Sequence, residues 1–396
     1  MDPNMYRAAM KGDLDALKQY SGDQFALQVT PNNNTVLHVA VEFGHDHCVE
    51  EILNKCPSLV SQVNDQGDTP LHTTLASWSF PLRTVELLIK SAETVGGGAA
   101  ALMEMWRARN RNGDTPLHLA TGTNSVLILD IFLAGMLKEE NPGLDHGPNK
   151  AGETPLYLYV DRGYDEEVLS QLLETCTPSE YGGPRGRTAL HAAVIGSKDF
   201  FLDILIKWKK DLIKEIDEYG WTPLHYAAKK GNVEAVRMLL DKDESVAYMT
   251  ANKDEGNTAL HLATVKGDTK VMEQLLLKCP DCWEMVNSKG QNILHISAFS
   301  EKDKATKYIS KQPWFRRLLN RKDHDGNTPM HVLAQKREPS WFLSDPNIVY
   351  KADMKAANNE GLTPRDILLP KVRILHHSVV NILSLSKWYS LWTFLG

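Results

Sequence analysis

Apolar residues recur on one stripe a fixed distance after certain glycines. Val49, Ile52 and Leu53 follow Gly44; Val236, Leu239 and Leu240 follow Gly231; Met272, Leu275 and Leu276 follow Gly267. Offsets of five, eight and nine place three side chains on one face of a helix. Before each such segment stands a shorter apolar run that opens on Thr, often followed by Pro. Proline suits a first helical position, where its missing N–H has no partner to lose. The pattern therefore predicts pairs of helices, each with one apolar face.

The openings of the first helices form a repeat. TVLH starts at Thr35 and TPLH at Thr69 and Thr115; TPLY starts at Thr154, TALH at Thr188 and TPLH at Thr222. TALH follows at Thr258, NILH at Asn292, TPMH at Thr328 and TPRD at Thr363. The gaps are 34, 46, 39, 34, 34, 36, 34, 36 and 35 residues. Glycine stands two residues before this position in nine of the ten units, and Asn33 stands there in the first. Both residue types tolerate positive φ. Asn64, Asn110, Asp217, Asn287 and Asp323 lie three residues before the glycine, where their side chains can bond to their own turn. Each unit thus reads as tight turn, helix, helix.

This G-x-T-P-L-H-x-A unit resembles the ankyrin repeat, over Met1 to Leu369. The resemblance implies an all-α solenoid of about ten ankyrin repeats, each a helix-turn-helix plus a protruding hairpin. It also implies that eight histidines at one repeat position (His38, His72, His118, His191, His225, His261, His295 and His331) hydrogen-bond around the Thr and the neighbouring turn. Short strings narrow the likeness. Met1-Asp2-Pro3, the segment Ala8 to Leu14, and Lys-Cys-Pro at 55–57 and 278–280 resemble the plant accelerated-cell-death type, the ankyrin–PGG group. In that group the array precedes a membrane domain, and the roles lie in defence and stress signalling. Nothing after Pro370 reads as that domain.

Residues 1–30 are expected to form an N-terminal capping half-repeat, with Asp2 capping a helix that starts at Pro3. The array is expected over 31–369, with insertions near 91–109 and 138–148. The first reads as a loop holding Gly96-Gly97-Gly98 and the patch Met103, Met105 and Trp106. Unit ten has Arg365 and Asp366 in place of Leu and His, as a polar terminal repeat requires. Residues 370–396 leave the repeat. Their apolar positions fall at helical spacing, and the readings are a capping helix or an amphipathic surface helix.

Composition removes several alternatives. With 44 Lys+Arg against 50 Asp+Glu, a net charge of −6 argues against nucleic-acid binding. Five scattered cysteines are no disulfide framework and fit a reducing compartment. The acidic N-terminus is no signal peptide, and no run of 18 uncharged apolar residues occurs. Cys279 and Cys282 have C-x-x-C spacing without a second pair, and His45 and His47 point to different helix faces. No phosphate loop, nucleophile elbow or zinc-protease motif is present. The expectation is a chain without catalytic residues, cofactor or metal.

The function expected is a scaffold that binds other proteins through the concave, hairpin-side face, as a monomer or loose hetero-complex. The expected location is cytoplasmic or at the cytosolic face of the plasma membrane, with association through the tail or a partner left open. A truncated integral-membrane signalling or transport protein is the competing reading. The candidate contact residues are Tyr219, Trp221, Tyr226, Lys229 and Lys230, because unit six alone carries large aromatics around its turn glycine. Such aromatics on a solvent-facing tip would point to a partner. The alternative is that Trp221 packs on neighbouring hairpins.

Overall fold

A computed structural model describes residues 1–77, 82–95, 98–122, 127–130, 145–163, 165–176, 180–299, 303–335, 348 and 350–369. The expected tail at 370–396 and residues 138–144 of the second insertion lie outside the described residues. The chain divides into two compact units, Met1–Ala192 and Ala193–Gly396. The fold is all-α; among the described residues the only β pairing is two isolated bridges, Val29 with Thr35 and Gly182 with Thr188.

Within the second unit, first helices stack on first helices: Pro223–Lys230 on Ala259–Lys266, then Ile293–Phe299, then Pro329–Gln335. Second helices form a parallel row: Asp199–Trp208, Val233–Lys242, Thr269–Lys278 and Lys304–Ser310. Small buried residues such as Ala227, Ala228, Ala263 and Ala298 let the first helices approach closely. The apolar stripe fills the space behind them: Val236, Leu239, Leu240, Met272 and Leu275 are buried, while Leu276 lies half-buried. A single helix pair cannot cover such a stripe, so each repeat depends on its neighbours.

The first unit repeats the plan with Val36–Glu42, Pro70–Ala76, Pro116–Gly122 and Pro155–Arg162 as first helices. It opens on Pro3–Lys11, where the Asp2 carboxylate accepts from Asn4 N at 2.7 Å and Pro3 occupies the first turn. The first insertion departs from expectation. Instead of a loop, residues 91–94 belong to the helix Leu82–Thr94, and a further helix, Ala99–Arg107, follows. Alanine, leucine and methionine are strong helix formers, and they outweigh the preceding glycines. Leu102, Met105 and Trp106 of the added helix are buried.

The T-P-L-H string is a helix start and a repeat-to-repeat tie in one. Thr35 caps Val36–Glu42 by accepting from His38 N, and His38 Nδ1 in turn accepts from Thr35 N at 3.2 Å. This is a capping box with histidine in the usual Glu/Gln place. The other ring nitrogen, Nε2, donates to the Asp68 carbonyl of the next hairpin at 3.0 Å. The same bond joins His72 to Asp114, His118 to Glu153, His225 to Asn257, His261 to Gln291, His295 to Asn327 and His331 to Leu362, at 3.0–3.2 Å. In unit ten Asp366 performs only the capping half: its carboxylate accepts from Thr363 N at 2.9 Å and Thr363 Oγ1 at 2.7 Å.

Candidate functional site

The hairpins form a continuous edge in each unit. All ten turn positions, Asn33 and the nine glycines, have φ between 59° and 80°. The glycine is also needed for space: a Cβ on Gly67 would come within 3.1 Å of Arg111 N on the following hairpin. Successive tips are joined by backbone bonds, Arg111 N to Gln66 O at 2.7 Å and Lys150 N to Asn112 O at 2.9 Å in the first unit. Ser288 N to Glu255 O and His324 N to Lys289 O, both 2.9 Å, do the same in the second.

The turn asparagines do more than the sequence indicated. Asn64 Oδ1 accepts from Gln66 N and Asp68 N, the local bonds expected of it. Its Nδ2 then donates to Asn34 Oδ1 of the preceding hairpin at 2.9 Å. Asn110 donates likewise to Asp68, Asn149 to Asp114, Asn287 to Asn257 and Asn358 to Asn327. The residue after the turn glycine is therefore not outward-facing. Asp68, Asp114 and Asn327 are half-buried and Asn257 is buried, each receiving the next hairpin's amide.

That geometry places Trp221, which occupies this same position after Gly220, as in the alternative of packing on neighbouring hairpins. It is only 5% exposed, not a solvent-facing tip. Hairpin six has Asp217 where five of the ten units have Asn, and hairpin seven is longer by two residues. The longer turn presents Asp254, and Trp221 Nε1 donates to its Oδ2 at 2.9 Å. The bond between hairpins is kept with its direction reversed. Asp217 accepts from Tyr219 N, Trp221 N and, at 2.6 Å, Tyr226 Oη. The Trp221 and Tyr226 rings lie 5.0 Å apart, and Lys229 Nζ sits 4.4 Å from the indole centroid, a cation–π contact.

Four of the five candidate residues thus gather around hairpin six. Tyr226, Trp221 and Lys229 form a braced cluster, and Tyr219 is 40% exposed beside Ile216 at 48%. Lys230 goes elsewhere: its Nζ donates to the Ile195 carbonyl. Asp217 and Asp254, which hold the cluster, and the exposed Ile216 were not among the candidates. Asp217 was visible as a turn residue, but its reach to Tyr226 depends on the helix that follows.

Burial lowers the pKa of His38, His72, His295 and His331, and it takes His118, His225 and His261 to about 4. They are neutral at pH 7, with the proton on Nε2 facing a carbonyl. Burial likewise raises the thiols of Cys48 and Cys279, and takes Cys176 and Cys282 to about 12. All five cysteines are buried and unpaired, and Cys56 and Cys279 of the two Lys-Cys-Pro strings cap second helices. Among the described residues no three His, Cys, Asp or Glu side chains are grouped to hold a metal ion. No helix among them is long and apolar enough to cross a membrane.

Comparison with known proteins agrees with this architecture. The model for ankyrin repeats in three copies matches residues 5–96 and 159–250, and the single ankyrin-repeat model matches 255–287. The chain is 23% identical over 393 residues to the protein Accelerated Cell Death 6 of Arabidopsis thaliana, covering 94% of this chain and 57% of that protein. It is 28% identical over 225 residues to the probable 26S proteasome regulatory subunit p28 of Saccharomyces cerevisiae, covering 56% of this chain and 90% of the yeast protein. Among solved structures it is similar to the ankyrin repeat domain of Bcl-3, with 23% identity, a TM-score of 0.48, and coverage of 62% of this chain and 99% of that one. Family models matching more than half of the chain, over the same hairpins and helix pairs described above, establish that it belongs to the ankyrin-repeat family.

Proposed function

We propose that the chain is a non-catalytic adaptor that holds partner proteins on its hairpin-side concave face and acts in plant defence or stress signalling from the cytoplasm or the cytosolic face of the plasma membrane. Ankyrin repeats mediate protein–protein binding as a family. The observation that carries a specific contact here is hairpin six, where Tyr219 and Ile216 stand exposed on a turn fixed by Asp217, Trp221 and Asp254. A rigid base under an exposed aromatic is what a hot spot needs, because little ordering entropy is lost on binding. Trp221, Tyr226 and Lys229 form the braced cluster of the same hairpin and the helix that follows it. The pathway reading is supported by similarity across most of this chain to a relative named for accelerated cell death.

The test is proximity labelling and quantitative capture from plant tissue with the full chain and its Tyr219→Ala variant. Capture of at least one partner should fall about tenfold or more while thermal unfolding stays unchanged. Unchanged capture of every partner would overturn the assignment of this contact.

A further inference from the structure

Ion pairs lace the second-helix side of the array where repeats five to seven meet. Lys242 pairs with Asp203 of the preceding second helix at 3.1 Å, and Lys278 pairs with Asp241 at 2.6 Å. The pattern stops after the helix Thr269–Lys278. Asp241 stands nine residues after its helix cap, Asn232. Nine residues after the next cap, Asp268, stands Leu277, which is 71% exposed. The helix packed against this one, Lys304–Ser310, opens a run of 19 residues, 304–322, with seven Lys and Arg, all exposed, and no Asp or Glu.

The end of this run is held in place without loss of charge. Arg321 Nη1 donates to the Glu284 carbonyl at 3.3 Å, and Lys322 Nζ donates to the Ala357 carbonyl at 2.7 Å. Asn320 ties on a segment of the next repeat, donating to the Lys351 carbonyl at 3.2 Å and accepting from Asp353 N at 2.8 Å. That segment adds Tyr350, Lys351 and Lys355, all exposed. Nine exposed cations thus stand against five bordering carboxylates: Asp303, Asp353 and, on repeat seven, Glu273, Asp281 and Glu284. Glu284 faces Arg317 at 3.8 Å, and Asp281 accepts from Tyr248 Oη at 2.5 Å. Lys304, Lys311, Arg316, Lys351 and Lys355 are in no ion pair among the described residues.

An exposed leucine beside unpaired cations suits an anionic membrane, where basic groups gain the field of the acidic headgroups and apolar groups gain the interface. The sequence beyond Leu369 has the same character. Residues 370–396 hold Lys371, Arg373 and Lys387, no Asp or Glu, and Trp388, Tyr389 and Trp392. Trp and Tyr are the residues enriched at membrane–water boundaries. We propose that the second-helix side of repeats seven to nine docks on an anionic membrane surface, with Leu277 entering the headgroup layer and the cations of 304–322 meeting lipid phosphates and carboxylates. The proposal rests on the reading that the chain works at the cytosolic face of the plasma membrane, and it names the surface that faces the lipid.

The experiment is sedimentation of the full chain with phosphatidylcholine vesicles containing about 30% phosphatidylserine. The chain should partition onto these vesicles and not onto pure phosphatidylcholine. Partitioning should fall about tenfold or more between about 0.1 and 0.5 M salt, as the screening length shortens. Lys311→Glu combined with Arg316→Glu should weaken it about tenfold or more, with thermal unfolding unchanged because both side chains are exposed. Leu277→Asp, which returns a carboxylate to the register of Asp241, should weaken it about fivefold. Lys253→Glu on hairpin seven, away from this side, should change it less than about twofold. Equal binding to neutral vesicles, indifference to salt, or binding that survives the double reversal would each overturn the proposal. So would capture by polyglutamate without capture by vesicles, which would assign this side to an acidic protein. A chain that fractionates with plasma membrane yet ignores the vesicles would keep the location and lose this surface. The adaptor reading is judged separately by Tyr219→Ala.

Discussion

Two hairpin joints, one in each unit, perform the same task with opposite polarity. Between hairpins three and four, Asn149 Nδ2 donates backward to Asp114 at 2.7 Å. Between six and seven, Trp221 Nε1 donates forward to Asp254 at 2.9 Å. Both joints carry the same second bond, from His118 to Glu153 O at 3.2 Å and from His225 to Asn257 O at 3.1 Å. The histidine bond uses backbone acceptors and so survives any side chain at that position. The side-chain bond is free to vary provided one donor meets one acceptor. The tryptophan joint adds a large buried ring and a lysine over it, which makes it the stiffer base for an exposed contact.

Acid should break both joints together, with the largest effect. The folded pKa of about 4 for His118, His225 and His261 lies below the unfolded value of about 6.5. Their contribution is complete above about pH 6.5 and is lost as the pH falls toward 4. By pH 5 each loses about 2 kcal/mol, several kcal/mol in all. A proton on Nδ1 would also face the Thr N–H that it now accepts from. Melting temperatures measured between about pH 7 and pH 5 should drop steeply in both units, and a flat profile would refute the shared histidine tie.

Trp221→Ala separates the joints. It leaves a cavity, strips Asp254 of its donor and frees Lys229, at about 3 kcal/mol. Amide exchange should accelerate around hairpins six and seven while residues near Asn149 keep their protection. Loss of partner binding with unchanged stability would contradict the buried geometry. Asn149→Asp sharpens the other side. The carboxylate still accepts from Ala151 N and Glu153 N but now faces Asp114, at about 1–2 kcal/mol. Part of that loss should be recovered in high salt, because the repulsion is screened. Denaturant unfolding at two ionic strengths measures it.

Much of this was legible in the sequence, for local reasons. The Thr–His pair, the turn asparagines and the glycine register are set within a few residues, so spacing exposed them. Gly231 and the stripe Val236, Leu239 and Leu240 were readable for the same reason. The direction of Trp221 was not. It depends on how hairpin seven stacks, and that hairpin's two extra residues act more than 30 positions away. The helix Ala99–Arg107 was missed although its Ala, Leu and Met run is strongly helical, because the triple glycine before it suggested a loop. The nearness of Trp221, Tyr226 and Lys229 followed from the register, whereas the departure of Lys230 to Ile195 depended on the preceding repeat.

The histidine bond also gives the array a direction in time. Each Nε2 reaches a carbonyl 30 to 42 residues later in the chain. A repeat emerging during synthesis can form its own cap at once, since Thr and His lie three residues apart. Its imidazole N–H then waits for a carbonyl not yet made. The asparagine amide of the following hairpin points the other way, to a side chain already in place. A new turn that carries the asparagine, as at Asn64, Asn110, Asn149, Asn287 and Asn358, therefore completes two bonds on arrival, one offered by the chain behind it and one made by itself, and growth from the N-terminus proceeds there by ratchet.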